Sequence, residues 1–107
     1  MAKLALDTSR TGATTVVTLT GELDLAGAAA LEQELDGAAA GAVVLDLRGL
    51  EFMDSTGLRA IVVAALEAQR AGGSLALVAG PEPVMRVFDI TRMRERLMFV
   101  APPEAPA

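Results

Sequence analysis

The side chains best placed to do chemistry stand together in one segment, Asp54-Ser55-Thr56-Gly57. A carboxylate, two hydroxyls and a glycine in series have three uses. Asp, Ser and Thr accept hydrogen bonds from the free N–H groups of a helix's first turn, so the segment can cap a helix. A serine beside a base can be a nucleophile. A serine without one can still accept a group delivered by another enzyme. The chain of 107 residues contains no His and no Cys, which removes the usual base and the thiol alternative. Ser55 also lacks the G-x-S-x-G elbow of serine hydrolases. The segment carries one residue too many for the Asp-Thr/Ser-Gly of aspartic proteases. A small hydrolase is therefore the reading that the residues argue against, and the chain is expected not to be an enzyme.

Other chemistries are excluded in the same way. Without His or Cys there is no zinc site of the usual kind and no disulfide framework. No P-loop is present, and Gly72-Gly73 does not open a G-x-G-x-x-G run. No metal and no cofactor are expected. The formal net charge of -5 argues against nucleic acid and anionic membranes, which reward clustered Lys and Arg. That charge is unevenly split. Residues 1–57 hold nine acids and three bases, while residues 58–107 hold five acids and six bases. No uncharged stretch approaches the roughly 18 residues of a membrane span, and the N-terminus lacks the apolar core of a signal peptide. A cysteine-free chain fits the cytoplasm.

The elements that must hold Asp54–Gly57 follow from the hydrophobic pattern. Hydrophobic residues make up 52% of the chain, but 21 of them are alanines and only three residues are aromatic. The core must come from Val, Leu, Ile and Met. Residues 4–7 can form an edge strand and Arg10–Ala13 a turn. Thr15–Thr20, β-branched and partly alternating, reads as a strand. Gly21-Glu22-Leu23-Asp24 reads as a loop, and Ala26–Ala38 as a helix with Ala28, Leu31 and Leu35 on one face. Ala42–Leu47 is nearly unbroken and apolar, which reads as a central strand covered on both faces.

Leu58–Arg70 then has helical spacing, with Leu58, Ile61, Val62 and Ala65 toward the core, Val63 pointing away from it, and Ser55 and Thr56 at the helix start. Ser74–Ala79 is a second buried strand. Gly80-Pro81-Glu82-Pro83 opens a third helix, with Val84, Val87 and Phe88 as its stripe. Leu97–Val100 is a last short strand, and the Pro/Ala-rich residues 101–107 are expected to be a disordered tail after one domain spanning 1–100.

The order β-β-α-β-α-β-α-β is an α/β class with a mostly parallel, mixed sheet and flanking helices. It places the hydroxyls of Ser55 and Thr56 at the carboxyl end of a strand beside a helix N-terminus, where α/β domains locate working groups.

Three segments in this order and spacing resemble a known family. They are Thr20-Gly21-Glu22-Leu23-Asp24, the run from Leu45-Asp46-Leu47 through Leu50-Glu51-Phe52-Met53 into Asp54-Ser55-Thr56-Gly57-Leu58, and Val87-Phe88-Asp89-Ile90-Thr91. Together they resemble the STAS domain of bacterial anti-sigma factor antagonists over about residues 4–100.

The resemblance implies a small domain that, when unphosphorylated, binds an anti-sigma factor serine kinase and so frees a sigma factor. It implies that the kinase phosphorylates the serine after the motif aspartate, here Ser55 rather than Thr56, and that a PP2C-type phosphatase reverses this. It implies a partner surface of Gly21, Glu22, Asp24, Asp54, Ser55, Thr56 and Gly57. Arg59 and Val63 extend that surface along the helix. A monomer is expected, with a dimer as the alternative. The competing function is a STAS interaction module of another pathway, such as a stress-signalling scaffold or a transport accessory protein. Two residues depart from the family pattern: Arg59 and Arg92 stand where a glycine is common.

Overall fold

The computed structural model describes residues 3–38 and 40–102. Strands β1 (Ala5–Thr11) and β2 (Thr14–Leu23) form the opening antiparallel hairpin. Helix α1 (Leu25–Leu35) leads to β3 (Ala42–Met53), α2 (Ser55–Arg70), β4 (Ser74–Val78), α3 (Glu82–Ile90), a 3-10 turn at Met93–Glu95 and β5 (Met98–Phe99). The expected order is the observed one. The first strand is longer than expected, the first helix ends three residues sooner, and the second helix starts at Ser55 itself. Of the tail expected at 101–107, residues 103–107 lie outside the described residues.

The sheet order is β1-β2-β3-β4-β5, with β2 to β5 parallel and β1 antiparallel at the edge. Every parallel crossover steps the same way across the sheet. Right-handed crossovers in one direction put all three helices on one face. Burial follows this: Val17, Leu19, Leu45 and Leu77 are sealed under the helices, while Val16, Thr18 and Val44 on the other face are only half-buried. Helices thus cover the central strand on one face only, although Asp46 and its same-face neighbours Ala76 and Val78 are buried on the other. Under α3, Phe88 meets Phe99 edge to face with ring centroids 5.5 Å apart.

Two bulges shape the carboxyl end of β3. Thr18 pairs Asp46 but Thr20 pairs Gly49, and Gly21 pairs Leu50 but Glu22 pairs Phe52. Each inserts one extra β3 residue, which bends the strand and re-aims the residues beyond it. Asp46 anchors the first bulge. Asp46 is only 4% exposed, and its carboxylate accepts the backbone N–H of Arg48 at 3.1 Å and meets the guanidinium Nε at 3.0 Å and Nη2 at 2.7 Å. The hydrogen bonds from Arg48 outweigh burial and hold the Asp46 carboxyl below the ordinary carboxylate range. β4 stops pairing at Val78, opposite Asp46, so the rest of β3 is paired with β2 alone as it approaches Asp54.

Candidate functional site

The site is the carboxyl edge where β2 and β3 end side by side. Leu23 pairs Met53, so the residues that follow each strand, Asp24 and Asp54, begin their helices as neighbours. Asp54 is extended (φ -106°, ψ -175°), and its carboxylate accepts the Gly57 N–H at 3.0 Å. That is the N-cap expected of Asp before a helix. Gly57 is required here by close approach: a Cβ on it would lie 2.4 Å from the Leu23 carbonyl oxygen and 2.8 Å from Leu23 Cγ. The first turn of α2 is pressed against the end of β2, and the direction of Ser55 is fixed by that contact.

Ser55 is the first residue of α2 and is exposed, whereas Thr56 beside it is half-buried. Among the described residues no group hydrogen-bonds the Ser55 hydroxyl, and the backbone N–H groups of Ser55 and Thr56 have no acceptor. The positive end of α2 therefore presents two free amides beside a free hydroxyl, an arrangement that suits an anion.

Gly21-Glu22-Leu23-Asp24 is not the loop that its composition suggests. Gly21 to Leu23 finish β2, and Asp24 caps α1 by accepting the Gly27 N–H at 3.0 Å. Gly21 has φ +101°, a conformation that L side chains rarely adopt, and it occupies the second bulge. Gly21 and Gly57 are buried, so their part is to shape the edge; Glu22 and Asp24 are half-buried and Arg59 is exposed.

Val63 differs from expectation. It is half-buried and lines the furrow between α1 and α2, because α1 packs directly beside α2. The core face of α2 carries Leu58 and Ile61 as expected, together with Ala60 and Ala68, while Val62 and Ala65 are half-buried.

Two apolar side chains that the sequence does not single out share this edge. Leu25, directly after the α1 cap, is 74% exposed, and Phe52, paired with Glu22, is 46% exposed. The signal for Phe52 was available in the Glu51-Phe52-Met53 run, where the second bulge turns the aromatic ring away from the core. Leu25 is the α1 counterpart of Ser55, each being the residue after its cap.

No group of three or more His, Cys, Asp or Glu comes together as a metal site among the described residues. No helix among them is long and apolar enough to cross a membrane.

The family model described as Mlab, STAS domain, matches residues 6–100. No curated protein matches the chain. Solved structures do. An anti-sigma factor antagonist from Mycobacterium paratuberculosis superposes with a TM-score of 0.81 at 25% identity, covering 94% of this chain and 87% of that one. The Bacillus cell fate determinant SpoIIAA in its phosphorylated form gives 0.69 at 25% identity, covering 91% and 92%. The anti-sigma factor antagonist SpoIIAA in its unphosphorylated form gives 0.76 at 24% identity, covering 91% and 89%, a likeness of fold. With the fold, the Asp54–Gly57 cap and a family match across nearly the whole sequence in agreement, the chain belongs to the STAS-domain family.

Proposed function

We propose that this chain is an anti-sigma factor antagonist switched by phosphorylation of Ser55. The unphosphorylated form binds an anti-sigma factor that is also a serine kinase, and so frees the sigma factor. The kinase transfers phosphate to the Ser55 hydroxyl, binding is lost, and a PP2C-type phosphatase restores it. The chain works in the cytoplasm as a non-enzymatic binding protein.

The observation that carries this reading is the placement of Ser55. Its hydroxyl is exposed and unbonded among the described residues, at the first position of a helix whose cap is supplied by its neighbour Asp54. A serine needed for capping would be occupied. This one is free for chemistry performed by a partner. Similarity to the Mycobacterium paratuberculosis antagonist and to a SpoIIAA solved in its phosphorylated form supports the same reading.

The sign of the switch comes from electrostatics. A phosphate on Ser55 carries a charge of about -1.5 to -2. The α2 dipole and the free amides of Ser55 and Thr56 favour it, while Asp54 repels it, so the fold is nearly indifferent. The effect falls on the partner: bulk and charge appear where the kinase docked, and the dianion must be desolvated in the complex. The docking edge comprises Glu22, Asp24, Asp54, Ser55, Thr56 and Arg59, shaped by Gly21 and Gly57; Val63, expected to extend it, lies in the furrow between α1 and α2 instead. Leu25 and Phe52 are the edge's apolar anchors.

The test is a pull-down with the full chain from lysate of the source organism, with and without ATP, identifying what co-purifies. A kinase-type anti-sigma factor retained without ATP and released with it is expected. Retention of an unrelated partner that ATP leaves in place would favour a module of another pathway.

A further inference from the structure

The furrow between α1 and α2 is a second feature that the Ser55 switch does not use. Its volume is about 280 Å³. Leu35, Val63 and Ala64 are half-buried in its floor, above the buried Leu31 and Ala60. Its rim is Glu32 and Asp36 from the end of α1 and Glu67 from α2. None of the chain's own Lys or Arg lines it among the described residues.

The rim is electrically unfavourable as it stands. The carboxyl end of a helix carries a partial negative charge and favours Lys, Arg or His. α2 obeys this, with Arg70 in its last turn. α1 does the reverse: it has no basic residue in its last turn, which holds Glu32 and Glu34, and Asp36 is its C-cap. Glu34 is bonded by the Thr8 hydroxyl at 2.7 Å, but Glu32, Asp36 and Glu67 have no ion pair or side-chain hydrogen bond among the described residues. Across the furrow from that negative end stands another carboxylate instead of a cation. Departures from local rules of this kind concentrate at functional surfaces.

We propose that the furrow seats a basic amphipathic helix belonging to a protein partner. A groove between two packed helices accepts apolar side chains spaced three and four residues apart on a third. Lysines or arginines flanking that apolar stripe would meet Glu32, Asp36 and Glu67 and supply the cation that the end of α1 lacks. The inference rests on the furrow alone and stands whether or not Ser55 is phosphorylated.

The experiment is an amide NMR titration of the full chain with a synthetic helical peptide of leucine and lysine, amphipathic by design. Its counterpart with glutamate in place of lysine serves as the comparison. Shifts centred on Leu35, Val63, Ala64 and Glu67 are expected from the lysine peptide only. Glu32→Lys with Glu67→Lys should weaken binding roughly tenfold or more. Asp7→Lys with Glu51→Lys, an equal change in net charge elsewhere, should leave it within about twofold. Unchanged melting temperatures establish that both double variants fold.

Equal weakening by the two double variants, shifts centred elsewhere, or no binding would overturn the proposal. So would concentration-dependent broadening at these amides with no response to peptide, which would make the occupant a second copy of the chain. Ser55→Asp should titrate like the wild type, so failure of this inference and failure of the Ser55 switch are separately visible.

Discussion

Asp24 and Asp54 cap neighbouring helices with the same bond: each carboxylate accepts the N–H of the glycine three residues on, at 3.0 Å. The two strands that deliver them end in register, so the pair forms one structural unit at the sheet edge. Asp24→Ala and Asp54→Ala should each cost about 1 kcal/mol, the usual worth of an N-cap, in urea denaturation. With saturating kinase only Asp54→Ala should also slow phosphate transfer to Ser55, because only that cap orients the first turn of α2; Asp24→Ala should act on transfer through weaker docking alone.

Gly57→Ala should be worse than either cap deletion. The new methyl would press on a backbone carbonyl, Leu23 O, at 2.4 Å, and a strand end inside the sheet cannot yield cheaply. A loss of roughly 1–3 kcal/mol or more is expected in thermal unfolding, with amide shifts at Ser55 and Thr56. Wild-type stability would mean that α2 is not pinned to β2.

The Asp46–Arg48 pair predicts a pH dependence. Asp46 titrates below its ordinary value of 3.8 in the folded protein, chiefly through hydrogen bonds from Arg48. The unfolded chain then binds the proton more readily than the folded one. The stabilisation is present above the ordinary value and is lost as pH falls through the folded value. Asp46→Asn should therefore lower stability at neutral pH, and the gap to wild type should narrow in acid below about pH 4. Parallel stability curves at all pH values would contradict this.

Arg92 has φ +61°, directly after the α3 C-cap residue Thr91, and is the one non-glycine residue in that region among the described residues. A side chain there costs about 1–2 kcal/mol that glycine does not incur, partly offset by glycine's greater unfolded-state freedom. Arg92→Gly should raise the melting temperature by a few degrees, about 4–8 °C if 1 kcal/mol is recovered. A fall would show that the Arg92 side chain makes a compensating contact.

The alternation of strands and helices was legible because Val16–Leu19, Val43–Leu47 and Leu75–Val78 are apolar runs broken only by Thr18 and Asp46, set between helical spacings. The placement of Ser55 at a helix start was legible from Asp54 and Gly57. The ends of β2 and β3 were not. Gly21, Glu22, Arg48 and Gly49 look like loop residues, and pairing across two bulges has no period-2 signature. The one-sided sheet was hidden too. Alternate β3 residues face different surroundings, yet Val44 on the open face is as apolar as Val43 beneath the helices. Val63 escaped because helical angle alone does not reveal that α1 lies beside it.

The switch at Ser55 is tested most directly by measuring phosphate incorporation and binding together, using the kinase recovered with the chain. Ser55→Ala should fold, bind and take up no phosphate. Ser55→Asp should fold and bind poorly, and Thr56→Ala should remain a phosphate acceptor. Phosphate uptake by Ser55→Ala at the wild-type rate, or binding by Ser55→Asp as tight as wild type, would contradict a switch at this hydroxyl.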